Sequence, residues 1–114
     1  MSDGLFFGDT MQRRKWANYL ISFVKYDKQK TLIDEVEVHE DLGYGISYTT
    51  DFVTRQTLIE NIENKITYIT TISDEKGVWK MGQKVELITI NGQKFLKTVN
   101  DGIEKDNLGE LPEF

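Results

Sequence analysis

The sequence predicts a single α+β domain with the element order ββαβββ. Three observations predict it. Segments rich in β-branched and aromatic residues, with period-two patterning, recur along the chain of 114 residues. One segment between the second and third of these switches to helical spacing. Near residue 91 the dipeptide Asn91-Gly92 separates two further strand-like runs, the strongest short-range hairpin signal there is.

The first strand is "WANYLISFVKYD", residues 16–27. Alternation places Tyr19, Ile21 and Phe23 on one face and Leu20, Val24 and Tyr26 on the other. Both faces are apolar, which suits a central strand or a barrel-like sheet. "DKQK" is a polar turn, and residues 31–41 form the second strand. There Leu32, Val36 and Val38 share a face, with Asp34 as an exception, while Ile33, Glu35, Glu37 and His39 make a mostly wet face. Residues 42–53 read as a loop, with two glycines close together among polar residues. In residues 54–64, Leu58, Ile59 and Ile62 form a helical stripe. Thr54 suits the N-cap, and Asn64 suits the left-handed position that ends a helix.

Residues 65–73 form the third strand, and 74–83 a connection with two glycines. Strands four and five, "KVELITI" and "KFLKTV", flank the turn. A type I′ turn pairs Ile90 with Gln93, Ile88 with Phe95, Leu87 with Leu96, and Glu86 with Lys97. Two arrangements of the five strands satisfy these patterns. One is a mostly antiparallel twisted sheet with the helix on one face; the other is a small SH3-like or OB-like barrel with the helix as a plug.

In this organisation residues 1–15 are a flexible leader, 16–105 the α+β domain, and 106–114 an extended tail packing on it. A domain of this length buries about 65% of the surface its unfolded chain exposes, enough for one core. Net charge is −5 and the pI about 4.9. Non-specific nucleic-acid binding draws its affinity from phosphate neutralisation, so the acidic balance argues against it. The basic cluster Arg13, Arg14 and Lys15 reads as a solvated junction before the first strand. No apolar run approaches the ~20 residues that span a bilayer, and the first residues lack a signal-peptide pattern. Cysteine is absent, which removes disulfides and thiolate chemistry and fits a cytoplasmic setting.

Chemistry-bearing constellations are scarce. His39 is the single histidine, and as a strand residue it shares a face with Glu37 but not with Glu40. One imidazole without a second His or Cys is a weak ligand set, so no metal or other cofactor is expected. Ser22, Ser47 and Ser73 lack a nucleophile elbow, and no glycine loop matches a phosphate-binding pattern. With 19 Asp and Glu in the chain, acid pairs carry no specificity. Trp79, flanked by glycines, reads either as a lid on the core or as an anchor on a binding surface, and Tyr44 and Tyr48 are candidates to join it.

The closing residues "DNLGELPEF" space Leu108, Leu111 and Phe114 three apart. Pro112 pushes Leu111 toward extended geometry, and a polyproline helix has three residues per turn. The three side chains then line one face suited to an apolar groove, with Glu110 and Glu113 solvated.

This tail, together with "VWKMGQKVELITINGQKFLKT" and "TRQTLIENIE", resembles the bacterial domain-of-unknown-function family 3892. The resemblance runs from about Tyr19 to Phe114. It rests on the tail, on the Trp-x-x-Gly element of Trp79 and Gly82, and on the helix start at Arg55 and Gln56. Family members often place an acid at the position of Thr57, which would complete a capping box. The resemblance implies one domain and supplies no activity, cofactor, partner or site.

The reading that results is a small non-catalytic binding module with a protein or peptide partner. Its expected surface comprises Tyr44, Tyr48, Trp79, Leu108, Leu111 and Phe114. One alternative is a carboxylate-based enzyme acting on a glycan or nucleotide near Tyr44 and Trp79. A third is nucleic-acid binding by a barrel-like sheet.

Overall fold

A computed structural model describes residues 15–43 and 45–114, the side chains of Tyr48 and Thr49 excepted. Along them run β1 (Tyr19–Tyr26), β2 (Ile33–Asp41), β3 (Ile46–Thr54), helix α1 (Arg55–Glu63), β4 (Tyr68–Ser73), β5 (Trp79–Lys84), β6 (Glu86–Ile90) and β7 (Gln93–Lys97). The fold is α+β, as expected, and its main sheet is open rather than a barrel. That sheet has five strands in the order β3-β2-β1-β4-β5, and β6 and β7 form a separate two-stranded sheet. Helix α1 carries the chain back, so β4 enters parallel to β1, while the other pairs are antiparallel. The expected leader falls almost entirely outside the described residues.

Two segments expected as irregular are strands. The loop at 42–53 is mostly β3, whose Thr50 and Val53 suit a pleated surface and whose ladder pairs with β2. The connection at 74–83 contains β5, and Gly82 explains why it reads as a turn. A Cβ there would lie 2.3 Å from Thr70 Oγ1 and 2.5 Å from Thr70 O. The glycine therefore marks a close approach of two backbones, not a break. Gln83 N donates to Thr70 Oγ1 at 2.9 Å across the same contact.

Strand β1 departs from simple alternation. Between Ile21 and Phe23 its register against β2 shifts by one residue, a bulge at Ser22. The bulge puts Ile21 and Val24 on the same face, both fully buried, and turns Phe23 outward. A second shift, between Lys25 and Tyr26, brings Ile33 onto the core side of β2, where alternation alone had put it with Glu35. The core then contains Ile21, Val24, Ile33, Val36, Leu58, Tyr68, Val85, Leu96, Leu108 and Leu111. A smaller cluster of Ala17, Leu20 and Ile69 lies on the other face of the sheet.

The caps of α1 follow from side-chain and backbone donors. Thr54 Oγ1 accepts from Thr57 N at 3.3 Å, as an N-cap should. At the other end the left-handed residue is Lys65, with φ 70°, one position beyond the expected Asn64. Ile66 N donates to Asn61 O and Lys65 N to Ile62 O, both at 3.0 Å. This pair of bonds is a Schellman motif with a lysine where glycine is usual. The β6–β7 register is the expected one, with positive φ at Asn91 and Gly92. Lys97, however, takes Asp101 rather than Glu86 as its ion-pair partner, at 2.5 Å, and is itself fully buried.

The closing residues tie the two sheets together. Asn107 N donates to Leu96 O, and Thr98 N donates to Asn107 O, so the chain lies parallel to β7. Five residues on, Val24 N donates to Pro112 O and Phe114 N to Val24 O, which adds the last residues to β1. β4 bonds to β1 only through Thr70, so the edge at Val24 is open to receive them. Asp106 anchors this strap. Buried at 2% exposure, its carboxylate accepts from Ile33 N, Leu96 N and Arg55 Nε at 2.8, 2.8 and 2.7 Å.

Candidate functional site

The register of the sheet lines up Phe52 of β3, Glu37 of β2 and Phe23 of β1 on one rung. Alternation puts all three on the face away from the main core, because Val36, Val38 and Val53 beside them pack inward. The bulge at Ser22 is what brings Phe23 into the row. Phe114 joins from the strap, next to Val24, and its ring centroid lies 5.5 Å from that of Phe52 at an interplanar angle of 60°. Phe23, Phe52 and Phe114 are 36%, 57% and 47% exposed. With Glu37 they line a shallow cleft of about 200 Å³.

Beside the cleft runs a buried polar chain. Ser22 Oγ contacts Glu37 Oε1 at 3.1 Å and His39 Nε2 at 2.9 Å, and His39 Nδ1 faces Ser47 O at 3.3 Å. Trp79 lies on His39 with ring centroids 5.5 Å apart. β5 is three strands away from β2 in the sheet order, so this contact requires β4 and β5 to curl over the face. The expectation that His39 lies on a mostly wet face is corrected here, because the imidazole is buried under Trp79. A serine touching an imidazole has the form of a nucleophile–base pair. Ser22 is only 2% exposed, so a substrate has no approach to its hydroxyl. The chain instead holds one oxygen of Glu37, whose side chain also lines the cleft. Among the described residues Glu37 has no ion-pair partner.

Two wider grooves lie on the opposite side of the molecule. One, of about 430 Å³, is bordered by Leu32, Arg55, Ile59, Lys94 and Phe95. Its guanidinium is already committed, to Asp106 and to Lys94 O. The other, of about 440 Å³, lies between the end of α1 and the start of β6, with Ile62, Lys65, Val85 and Leu87 in its lining. No group of three or more His, Cys, Asp or Glu side chains suited to a metal ion occurs among the described residues.

The residues singled out from sequence scatter. Leu108 and Leu111 are buried in the main core, while Phe114 emerges on the opposite face. The three-residue period that would align them ends where Phe114 hydrogen-bonds to β1 as a strand residue. Trp79 is half-buried on His39. Tyr48 falls in β3 with its side chain undescribed, and Tyr44 lies outside the described residues. Sequence reasoning missed Phe23, Phe52 and Glu37 as a group. The period-two run "ISYTTDFV" was the available signal for Phe52; Phe23 needed the bulge, which no local pattern announces.

An open sheet, one helix and a strapped hairpin define a small α+β domain whose outer sheet face carries an aromatic cleft. The family model described as "Protein of unknown function (DUF3892)" matches residues 21–112, and the chain belongs to that family. No curated protein and no solved structure matches it. No helix among the described residues is long and apolar enough to cross a membrane.

The segments behind the resemblance have physical roles in the fold. The helix-start Arg55 and the tail residue Asp106 form a bidentate ion pair, at 2.7 and 3.1 Å. Gly82 makes room for Thr70, and Trp79 covers His39.

Proposed function

We propose that this protein is a small non-catalytic interaction module that binds a protein or peptide partner at the Phe23–Phe52–Phe114 cleft. The observation that carries this reading is the gathering of three exposed phenylalanines around one carboxylate. Large rigid aromatic side chains in a cleft are the usual anchors of recognition surfaces. A carboxylate-based enzyme would ask for two facing acids, and Glu37 is the single acid in this lining among the described residues. The absence of cysteine accords with a cytoplasmic module.

Selection of peptides from a displayed random library tests the reading. Phe52→Ser, an exposed substitution, serves as the counter-screen, with thermal melts to show that both proteins are folded. Selected peptides should bind the variant at least about tenfold more weakly, the cost of losing one central anchor. Equal binding to both proteins would overturn the proposal.

A further inference from the structure

The cleft joins two features that no purely apolar ligand satisfies together. Its walls are phenyl rings, and among the described residues its one acid, Glu37, has an oxygen held by Ser22 and no ion-pair partner. An apolar side chain seated there would desolvate the carboxylate without compensating it, which is costly. A neutral hydrogen-bond donor would satisfy the acid but leave the rings without a matching partner. A cation meets both demands. Ring faces carry negative quadrupole potential and attract an ammonium within about 6 Å, while the alkyl carbons attached to it pack on the rings. The net charge of −5 adds a favourable long-range field.

The preference among cations follows from shape. Phe52 and Phe114 meet at 60° rather than stacking in parallel, which leaves a pocket rather than a slot. A planar guanidinium suits a slot and a bidentate acid. A compact alkylammonium suits a rounded cleft of about 200 Å³ lined by three phenylalanines and Glu37. We infer that the Phe23–Glu37–Phe52–Phe114 cleft is a cation-binding cage for the alkylammonium group of a lysine side chain, methylated or not, on the partner. This rests on the reading of the protein as a peptide-binding module and specifies what its cleft selects.

The test uses the full chain at constant ionic strength, with NMR shifts of Phe23, Glu37, Phe52 and Phe114 as the readout. The first probes are choline and 3,3-dimethyl-1-butanol, its uncharged isostere. Choline should shift these resonances saturably, and the isostere should bind at least about twofold more weakly, the lower size of one exposed cation–π contact. Glu37→Gln should weaken choline several-fold and leave the isostere unchanged. Phe52→Leu, which keeps apolar bulk but removes a ring face, should weaken choline too. Blocked lysine and trimethyllysine amides form the second arm and should bind at least as tightly as choline. Equal affinity for choline and its isostere would overturn the cage while leaving an apolar peptide-binding cleft intact. Absence of shifts at the four residues with every probe would also overturn it. Choline binding more tightly than both lysine amides would overturn the assignment to a side chain. The module reading stands or falls separately, on the peptide selection.

Discussion

Asp106 is the residue on which most of the assembly converges. Its carboxylate bonds to the first residue of β2, to β7 and to the guanidinium at the start of α1, and its own amide donates to Thr31 O at 2.8 Å. Four segments distant in sequence therefore share one buried charge. Removing one partner of such a pair leaves the other uncompensated, which typically costs about 3–5 kcal/mol. Asp106→Ala should lower stability to urea by at least about 3 kcal/mol, because two backbone donors and Arg55 lose their acceptor together. The double substitution with Arg55→Ala should cost clearly less than the sum of the singles, since each already breaks the same pair. Additive losses would show that the pair is not coupled. In the sequence Asp106 is one acid among 19, and nothing local distinguishes it. Its importance comes from burial, which only the surrounding segments create.

At the scale of elements, α1 and the strap show the two extremes of legibility. The helix follows from its stripe and caps, because those interactions lie within four residues of each other. Its end carries a correctable strain, with Lys65 in the left-handed region at φ 70°. Lys65→Gly should raise stability by about 0.5–1 kcal/mol, because glycine reaches that conformation without a Cβ penalty. A lower melting temperature would show that the Lys65 side chain contributes more than its backbone costs. The strap is the converse case. Its apolar spacing is visible, but which residues it buries depends on where it meets β7 and β1. A chain stopped after Lys105 loses the buried Leu108 and Leu111 together with Asp106. Each leucine contributes about 1.5–3 kcal/mol before entropy is subtracted. The melting temperature should fall by at least about 10 °C. An unchanged melt would mean that the strap adds no stability.

For the whole molecule, the tyrosines under the strap and helix set a limit at high pH. Burial pushes the Tyr26 hydroxyl above its ordinary value of 10.0, although Leu108 N donates to it. Burial likewise raises Tyr68, against the opposing bond from Asn61. The unfolded chain therefore releases these protons first, and the folded state holds more of them above pH 10. Stability should fall as pH rises from about 10, and Tyr26→Phe should flatten that fall in melts taken from about pH 8 to 11. The same scale separates what the chain shows locally from what it hides. Composition and period by themselves determined the α+β class, the β6–β7 register and the helix. Each of these rests on neighbours in sequence, such as Ile88 opposite Phe95 across a two-residue turn. Tertiary structure alone decided that β3 and β5 are strands, that β4 runs parallel to β1, and that Phe23, Glu37, Phe52 and Phe114 meet. β3 and β5 take their ladders from distant partners, and Gly82 looks like a break until Thr70 is placed against it. The cleft needs a bulge at Ser22 to turn Phe23 outward and a strap to deliver Phe114 from 91 residues away. A one-residue shift in register exchanges the faces of a strand, so the outer face is settled only when the strands have paired.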